Sequence, residues 1–110
     1  MDISFDNNKL RKCANDDRFA VKTLGQIKAT LFKQRLDDLR AAETLEDVRY
    51  LPGNFHELKS NRKGQWACSL DGNYRLIFTP QERPIPENED GQYLWIDITA
   101  IEIIEIVDYH

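Results

Sequence analysis

The sequence predicts an α+β fold, with N-terminal helices packed on one face of a small, mainly antiparallel β-sheet. Three observations predict it. From Arg18 to about Ala42, apolar residues recur at helical spacing. After Gly53 the chain divides into short runs rich in aromatic and β-branched residues. Finally, 110 residues with 41% hydrophobic and 31% charged side chains suit one domain, residues 1–110, whose core needs no metal or disulfide staple.

Ile3-Ser4-Phe5 reads as a short opening strand. Asn7 or Asn8 then reads as the N-cap of a short helix through Cys13, since an amide oxygen can accept from an orphan helix N–H. Asn15-Asp16-Asp17 is a second start signal, with two acids where the helix dipole favours them. The helix that follows carries Val21, Leu24, Ile27, Leu31, Phe32, Leu36 and Leu39, interleaved with Lys22, Lys28, Lys33, Arg35 and Arg40. Gly25 lowers helix propensity within it, so a kink or break is allowed there. Thr44 and Asp47 resemble a capping pair for one further turn, which Pro52-Gly53 stops. "FHELK", "QWACSL", "NYRLIF" and "TAIEIIEIV" are the predicted strands, and Asp71-Gly72 joins the middle two as a hairpin. Residues 80–91, "PQERPIPENEDG", hold three prolines without periodicity and are predicted as a solvated loop.

No apolar run is long enough for a membrane span, the longest being interrupted by Glu105. Met1-Asp2-Ile3-Ser4 lacks the basic and apolar regions of a secretory signal, so a cytoplasmic location without membrane partners is expected. Cys13 and Cys68, with no CxxC and no His at ligand spacing, read as reduced thiols. A net charge of −4 argues against a uniformly basic nucleic-acid-binding surface. The distribution is uneven, however. Residues 1–63 hold 13 Lys and Arg against 10 Asp and Glu, and residues 64–110 hold 2 against 9, so a basic surface remains available.

The residues suited to chemistry gather in two stretches. In the last predicted strand, alternation sets Ile104, Ile106, Asp108 and His110 on one side and Ile103, Val107 and Tyr109 on the other. Asp108 can then orient or charge the imidazole of His110; the plainer reading is an exposed terminal histidine without a role. Upstream, "FHELKSNRKGQW" places His56, Lys59, Arg62 and Lys63 within eight residues, where a charged turn between strands is the plainer reading. Arg75 must lie on the opposite face from Tyr74, Leu76 and Phe78, as a surface arginine or a functional one. The set lacks metal-ligand spacing, a GxSxG and a phosphate-cradling glycine loop, so no metal or other cofactor is called for. It suits metal-independent phosphodiester cleavage: a base takes the 2′-OH proton, cations neutralise the charge on phosphate, and an acid protonates the departing 5′-oxygen.

"LPGNFHELKSNRKGQWACSLDGNYRLIF", followed by a terminal "VDYH", resembles the HigB-like toxins of the RelE superfamily. The similarity runs from about Leu36 to His110 and rests on the combination of LPG, HxLK, the RKGQW turn, NxRxxF and DYH. The resemblance implies a RelE-like fold and a toxin of a type II toxin–antitoxin pair, one that binds the ribosomal A site and cuts mRNA there. It implies as partners the ribosome, mRNA and a helix-turn-helix, HigA-like antitoxin, with a toxin–antitoxin hetero-tetramer as one assembly. By matching motif it gives catalytic weight to His56, Lys59, Arg75, Asp108, Tyr109 and His110. Proton transfer falls to His110 and Asp108, assisted by Tyr109 or His56, and phosphate stabilisation to Lys59 and Arg75. Arg62 and Lys63 then read as RNA-backbone contacts, and Trp66 as a stacking platform for a base or, alternatively, a core residue. Two other functions fit the same fold: a ParE-like toxin acting on gyrase, and an inactive module kept as an antitoxin partner.

Overall fold

The structure, a computed structural model, describes residues 1–109. Asn7 caps α1 (Asn8–Asn15), its Oδ1 accepting from the Leu10 amide at 2.9 Å, and Asp16 caps α2 (Asp17–Leu24) through the Phe19 amide at 3.1 Å. The predicted long helix is broken at Gly25, whose φ of 84° ends α2 and opens α3 (Gln26–Ala41). The break turns the apolar stripe. α3 buries Ala29, Phe32, Leu36 and Leu39, while Val21 and Ile27, expected on the buried side, lie at the surface. The Thr44–Asp47 pair forms as expected: the amide and hydroxyl of Thr44 both donate to Asp47 Oδ2, at 3.2 and 3.1 Å, before a 3-10 turn at Glu46–Tyr50. Among the described residues, no helix is long and apolar enough to cross a membrane.

Strands β1 (Asp2–Phe5), β2 (His56–Glu57), β3 (Trp66–Ser69), β4 (Tyr74–Pro80) and β5 (Ala100–Asp108) form one sheet in the order β1-β5-β4-β3-β2. β1 joins β5 in parallel and every other pairing is antiparallel. β2 spans two residues instead of the five of "FHELK", because the chain leaves the sheet for a 3-10 turn at Ser60–Arg62. The predicted solvated loop is also corrected in part. Pro80 is the buried last residue of β4, and Ile85, Tyr93 and Trp95 pack on the core, whereas Glu82, Glu87, Glu89 and Asp90 remain exposed. Apolar anchors on either side of the acidic tip hold this segment down.

The helices cover one face of the sheet. Trp66, Cys68, Leu76, Phe78, Ile101 and Ile103 form the core with Phe32, Leu36 and Leu39 of α3. In β5 the register shifts: Ile103 pairs with Phe78 and Glu105 with Ile77, so Ile104 is an extra residue in a β-bulge. Strict alternation from Ile101 and Ile103 would carry Glu105 inward. The bulge reverses the phase, so Ile106 packs on the core opposite Leu76, while Glu105 and Val107 turn outward opposite Ile77 and Arg75. The predicted grouping is thus corrected, since Ile103 and Ile106 share a face.

A buried arginine fixes the turn that leads into β2. Arg35, 9% exposed, donates Nε to the Ser69 carbonyl at 2.9 Å, and the Ser69 amide donates to the Gly53 carbonyl at 2.8 Å. Gly53 has φ 118°, and a Cβ there would lie 2.8 Å from the Arg35 guanidinium carbon. Gly53→Ala therefore meets both a backbone conformation unsuited to alanine and a pinned cation. It should lower stability by about 1–3 kcal/mol, read from urea unfolding; an unchanged midpoint would refute this account of the LPG turn. A second outcome concerns the thiols. Burial pushes Cys68 up to about 12, with Arg35 pulling it back only partly, and burial likewise raises Cys13. Both cysteines are buried and free. At pH 8 neither should react with an aromatic disulfide reagent until urea unfolds the chain, because the thiolate is the reactive form.

Candidate functional site

The face of the sheet turned away from the helices carries the polar residues. His56, Ala67, Ile77 and Glu105 form one cross-strand row through β2, β3, β4 and β5. Ser69, Arg75 and Val107 form the next row toward the chain's end, and Thr79 with Glu102 lies on the other side. Successive rows are about 7 Å apart, and His56 and Glu105, three strands apart, are separated by roughly 14 Å at the backbone.

His56 has a defined tautomer. Its Nδ1 lies 2.8 Å from the carbonyl of Asn54, a residue held at φ 55° by the LPG turn. A carbonyl only accepts, so Nδ1 carries the proton and donates, which leaves Nε2 as the nitrogen available for proton transfer. Arg75 directs its guanidinium along the hairpin, with Nη1 donating to the carbonyls of Gly72 at 3.1 Å and Tyr74 at 2.9 Å.

The centre of the face is occupied by an ion pair. Arg62 Nη1 donates to Gln65 Oε1 at 2.8 Å and Nη2 to Glu105 Oε1 at 2.5 Å. To reach Glu105 from the turn after β2, Arg62 crosses β3 and β4. The floor beneath this crossing is apolar: Ala67 and Ile77 are fully buried yet stand outside the helix-side core. One row away, Arg83 approaches Glu102 at 3.8 Å. Glu105 and Gln65 were not expected as site residues. The signal for Glu105 was present, because Glu102 and Glu105 are three apart, a spacing that both can use to face solvent on one strand only across a bulge.

The remaining predicted residues divide. Lys59 and Lys63 are exposed and line a cleft of about 260 Å³ with Glu57, Ser60, Gly64 and Tyr93. Lys63 Nζ lies 5.4 Å from the Tyr93 ring centroid, and both residues continue into a cleft of about 490 Å³ beside Asn88 and Gln92. Asp108 is exposed at the end of β5 opposite Tyr74, on the helix-covered side, where Lys28 Nζ sits 4.2 Å above the Tyr74 ring. Tyr109 follows, with its amide donating to the Asn73 carbonyl at 2.9 Å and its side chain in part exposed. His110 lies outside the described residues. His56, Arg62 and Arg75 thus share one face, while Lys59 and Lys63 line a cleft with Glu57, the cross-strand neighbour of the core residue Trp66, and Asp108 and Tyr109 stand at the end of β5.

Trp66 must be withdrawn as a base-stacking platform. Its ring is fully buried, stacked on Phe78 with centroids 6.4 Å apart and edge-on to Trp95 at 5.6 Å. Arg49 lies 4.9 Å from its centroid. Hydrogen bonds from Arg49 to Glu46 and, after them, to Glu57 hold that guanidinium charged against the cost of its burial. No surface of the indole is left for a nucleobase.

A family model described as RelE-like toxin of type II toxin-antitoxin system HigB matches residues 3–90. That span includes His56, Lys59, Arg62, Lys63 and Arg75 and stops before β5. The curated Toxin HigB-1 of Vibrio cholerae serotype O1 (strain ATCC 39315 / El Tor Inaba N16961) is 34% identical over 79 residues, 71% of this chain and 82% of its own length. Among solved structures, the YoeB-YefM complex from Staphylococcus aureus aligns over 100% of this chain and 97% of that chain, with a TM-score of 0.58 at 16% identity. The YoeB/ParE toxin from Agrobacterium tumefaciens aligns over the whole of both chains, with a TM-score of 0.51 at 12% identity. At these identities the two structures speak for the fold alone.

Proposed function

The chain belongs to the RelE-like toxins of type II toxin–antitoxin systems, in the HigB family, and from that premise we propose that it is a ribosome-dependent endoribonuclease cutting mRNA in the A site. An antitoxin partner follows from the family; we assign it the helix-turn-helix, HigA-like class, with the ribosome and mRNA as the other partners. The observation that carries the nuclease reading is the open sheet face. It brings an imidazole, His56, and two guanidinium groups, Arg62 and Arg75, to one surface beside the end of β5.

In this mechanism a base removes the 2′-OH proton of the A-site nucleotide, and the alkoxide attacks the adjacent phosphorus. The pentavalent phosphate collapses with loss of the 5′-oxygen, which an acid protonates, leaving a 2′,3′-cyclic phosphate and a 5′-hydroxyl. His110 and Asp108 are assigned to proton transfer, with Tyr109 or His56 assisting. The Asn54 carbonyl suits His56 to this work, because it fixes Nδ1–H and also stabilises the imidazolium once Nε2 has taken a proton. Lys59 and Arg75 are assigned to the phosphate, and Arg62 and Lys63 to the RNA backbone. Trp66 has no part in it.

The test is cleavage of a reporter mRNA in a cell-free translation reaction, with ends mapped in the presence and absence of ribosomes. The wild type should produce ribosome-dependent cuts with 5′-hydroxyl ends, and His56→Ala and His110→Ala should each slow cutting by roughly 100-fold or more. No cutting by the wild type would overturn the reading. Growth arrest without cutting would point to a protein target such as gyrase, and the absence of both would leave an antitoxin-binding module.

A further inference from the structure

We propose that Glu105 is a positioning residue for RNA cleavage, holding Arg62 with Gln65 so that its guanidinium receives the scissile phosphate. The inference rests on the nuclease reading above and moves Arg62 from a peripheral backbone contact to the middle of the reaction.

Three observations carry it. First, the guanidinium is gripped at both ends, by Gln65 Oε1 on Nη1 and Glu105 Oε1 on Nη2. A planar fork fixed at two nitrogens keeps further N–H donors in the same plane for an oxyanion. Second, the partner carboxylate of this head group stands beside β4. Glu105 is the cross-strand neighbour of Ile77, and Arg75 stands two residues from Ile77 on the same face. Two residues of strand separate the Arg75 and Ile77 backbones by about 7 Å, so the Arg62–Glu105 pair stands one row from Arg75 on the same face, with the Arg75 guanidinium turned toward the Gly72 and Tyr74 carbonyls. His56 is in the same row as Glu105, so a phosphate held over β4 lies between the imidazole and β5. Third, the chain departs from regular strand geometry to achieve this. The bulge at Ile104 takes Glu105 out of the inward phase of Ile101 and Ile103 and aims it at Arg62.

The pairing also sets the electrostatics. Glu105 partly neutralises Arg62 before RNA arrives, and the other groups near this row are His56, Arg75 and, one row away, the Arg83–Glu102 pair. Removing the carboxylate frees a positive charge but loses its orientation. Binding of RNA should therefore hold or strengthen while the chemical step slows, a split that loss of folded protein does not produce.

The experiment is single-turnover cleavage of mRNA on programmed ribosomes, with toxin varied to saturation, for Glu105→Ala, Glu105→Gln, Arg62→Ala and the double variants. Glu105→Ala should cut at saturation on the order of 10- to 100-fold slower, the scale of a misplaced reacting group. Its half-saturating concentration should be unchanged or lower. Glu105→Gln, which keeps an acceptor for Arg62, should recover most of that rate. In the Arg62→Ala background either change at Glu105 should be silent, because Glu105 acts only through Arg62. If Glu105→Ala melts early, Glu105→Gln with and without Arg62→Ala carries the same comparison in a folded protein. A wild type that cuts while the Glu105 variants cut at its rate, or slow further in the Arg62→Ala background, overturns this inference and leaves the nuclease reading standing. A wild type that makes no cut overturns both.

Discussion

One extra residue in β5 decides what each face of the sheet carries. The run from Ile101 to Val107 cannot satisfy both faces with a period of two, because its inward residues are Ile101, Ile103 and Ile106 while Glu102 and Glu105 need water. Without the bulge the choice would be a carboxylate buried among Leu76 and Phe78 or an isoleucine traded for it, and burying an unpaired charge costs several kcal/mol. Placing the spare residue at Ile104 removes the conflict. The same step presents Glu105 to Arg62, and it fixes Asp108 opposite Tyr74 and leaves Tyr109 to follow at the rim. Core packing and site geometry are therefore set by a single local irregularity.

Arginines do the remaining work of alignment. Arg35 ties α3 to the Gly53 turn and the end of β3, Arg49 joins the 3-10 turn at Glu46–Tyr50 to Glu57 and covers Trp66, and Arg62 spans the open face. The Arg49 and Arg62 ion pairs are partly exposed and contribute roughly 0–1 kcal/mol each to stability, so their value lies in geometry. A guanidinium suits the task because it is planar, weakly hydrated and able to bond two partners at fixed angles. Part of the basic character of residues 1–63 is thereby consumed inside the fold. The surplus of cations counted there therefore overstates what is offered to a polyanion.

Much of the fold was legible in local chemistry. Asn7, Asp16, the Thr44–Asp47 pair, the Gly25 break and the Asp71-Gly72 hairpin all occur where the sequence put them, because each depends on neighbours within four residues. What failed was long-range. Val21 and Ile27 fit a continuous helix, but the turn at Gly25 rotated them outward. β2 shrank to two residues because the turn at Ser60–Arg62 is held by a partner 43 positions away, Glu105. Trp66 was ambiguous because strand alternation names a face without saying what covers it, and the cover is Trp95, from a 3-10 turn at Trp95–Asp97 beyond the predicted loop. Of the site, the side of β4 that carries Arg75 followed from alternation, whereas joining His56 to that face required the strand register, Glu105 required the bulge and the Asn54 contact required the turn.

The same geometry bears on why such a protein would need the ribosome. The candidate groups are spread over two rows and the rim of an open face, with roughly 14 Å between the backbones of His56 and Glu105. A single strand of RNA lying on that surface would keep most of its torsional freedom. Cleavage needs the 2′-oxygen, the phosphorus and the 5′-oxygen in line, an arrangement that costs torsional entropy when nothing prepares it. Enclosure would be one way to supply this, and the open face does not offer it. Under the proposed reading the ribosome supplies it instead, by holding the codon in a fixed path while the toxin contributes proton transfer and charge. The toxin's own part is then a small set of groups in fixed orientation, which is what the Asn54–His56 contact and the Gln65–Arg62–Glu105 chain provide. On that reading, a shallow face with a few oriented groups is enough for a catalyst whose substrate arrives already held in another machine.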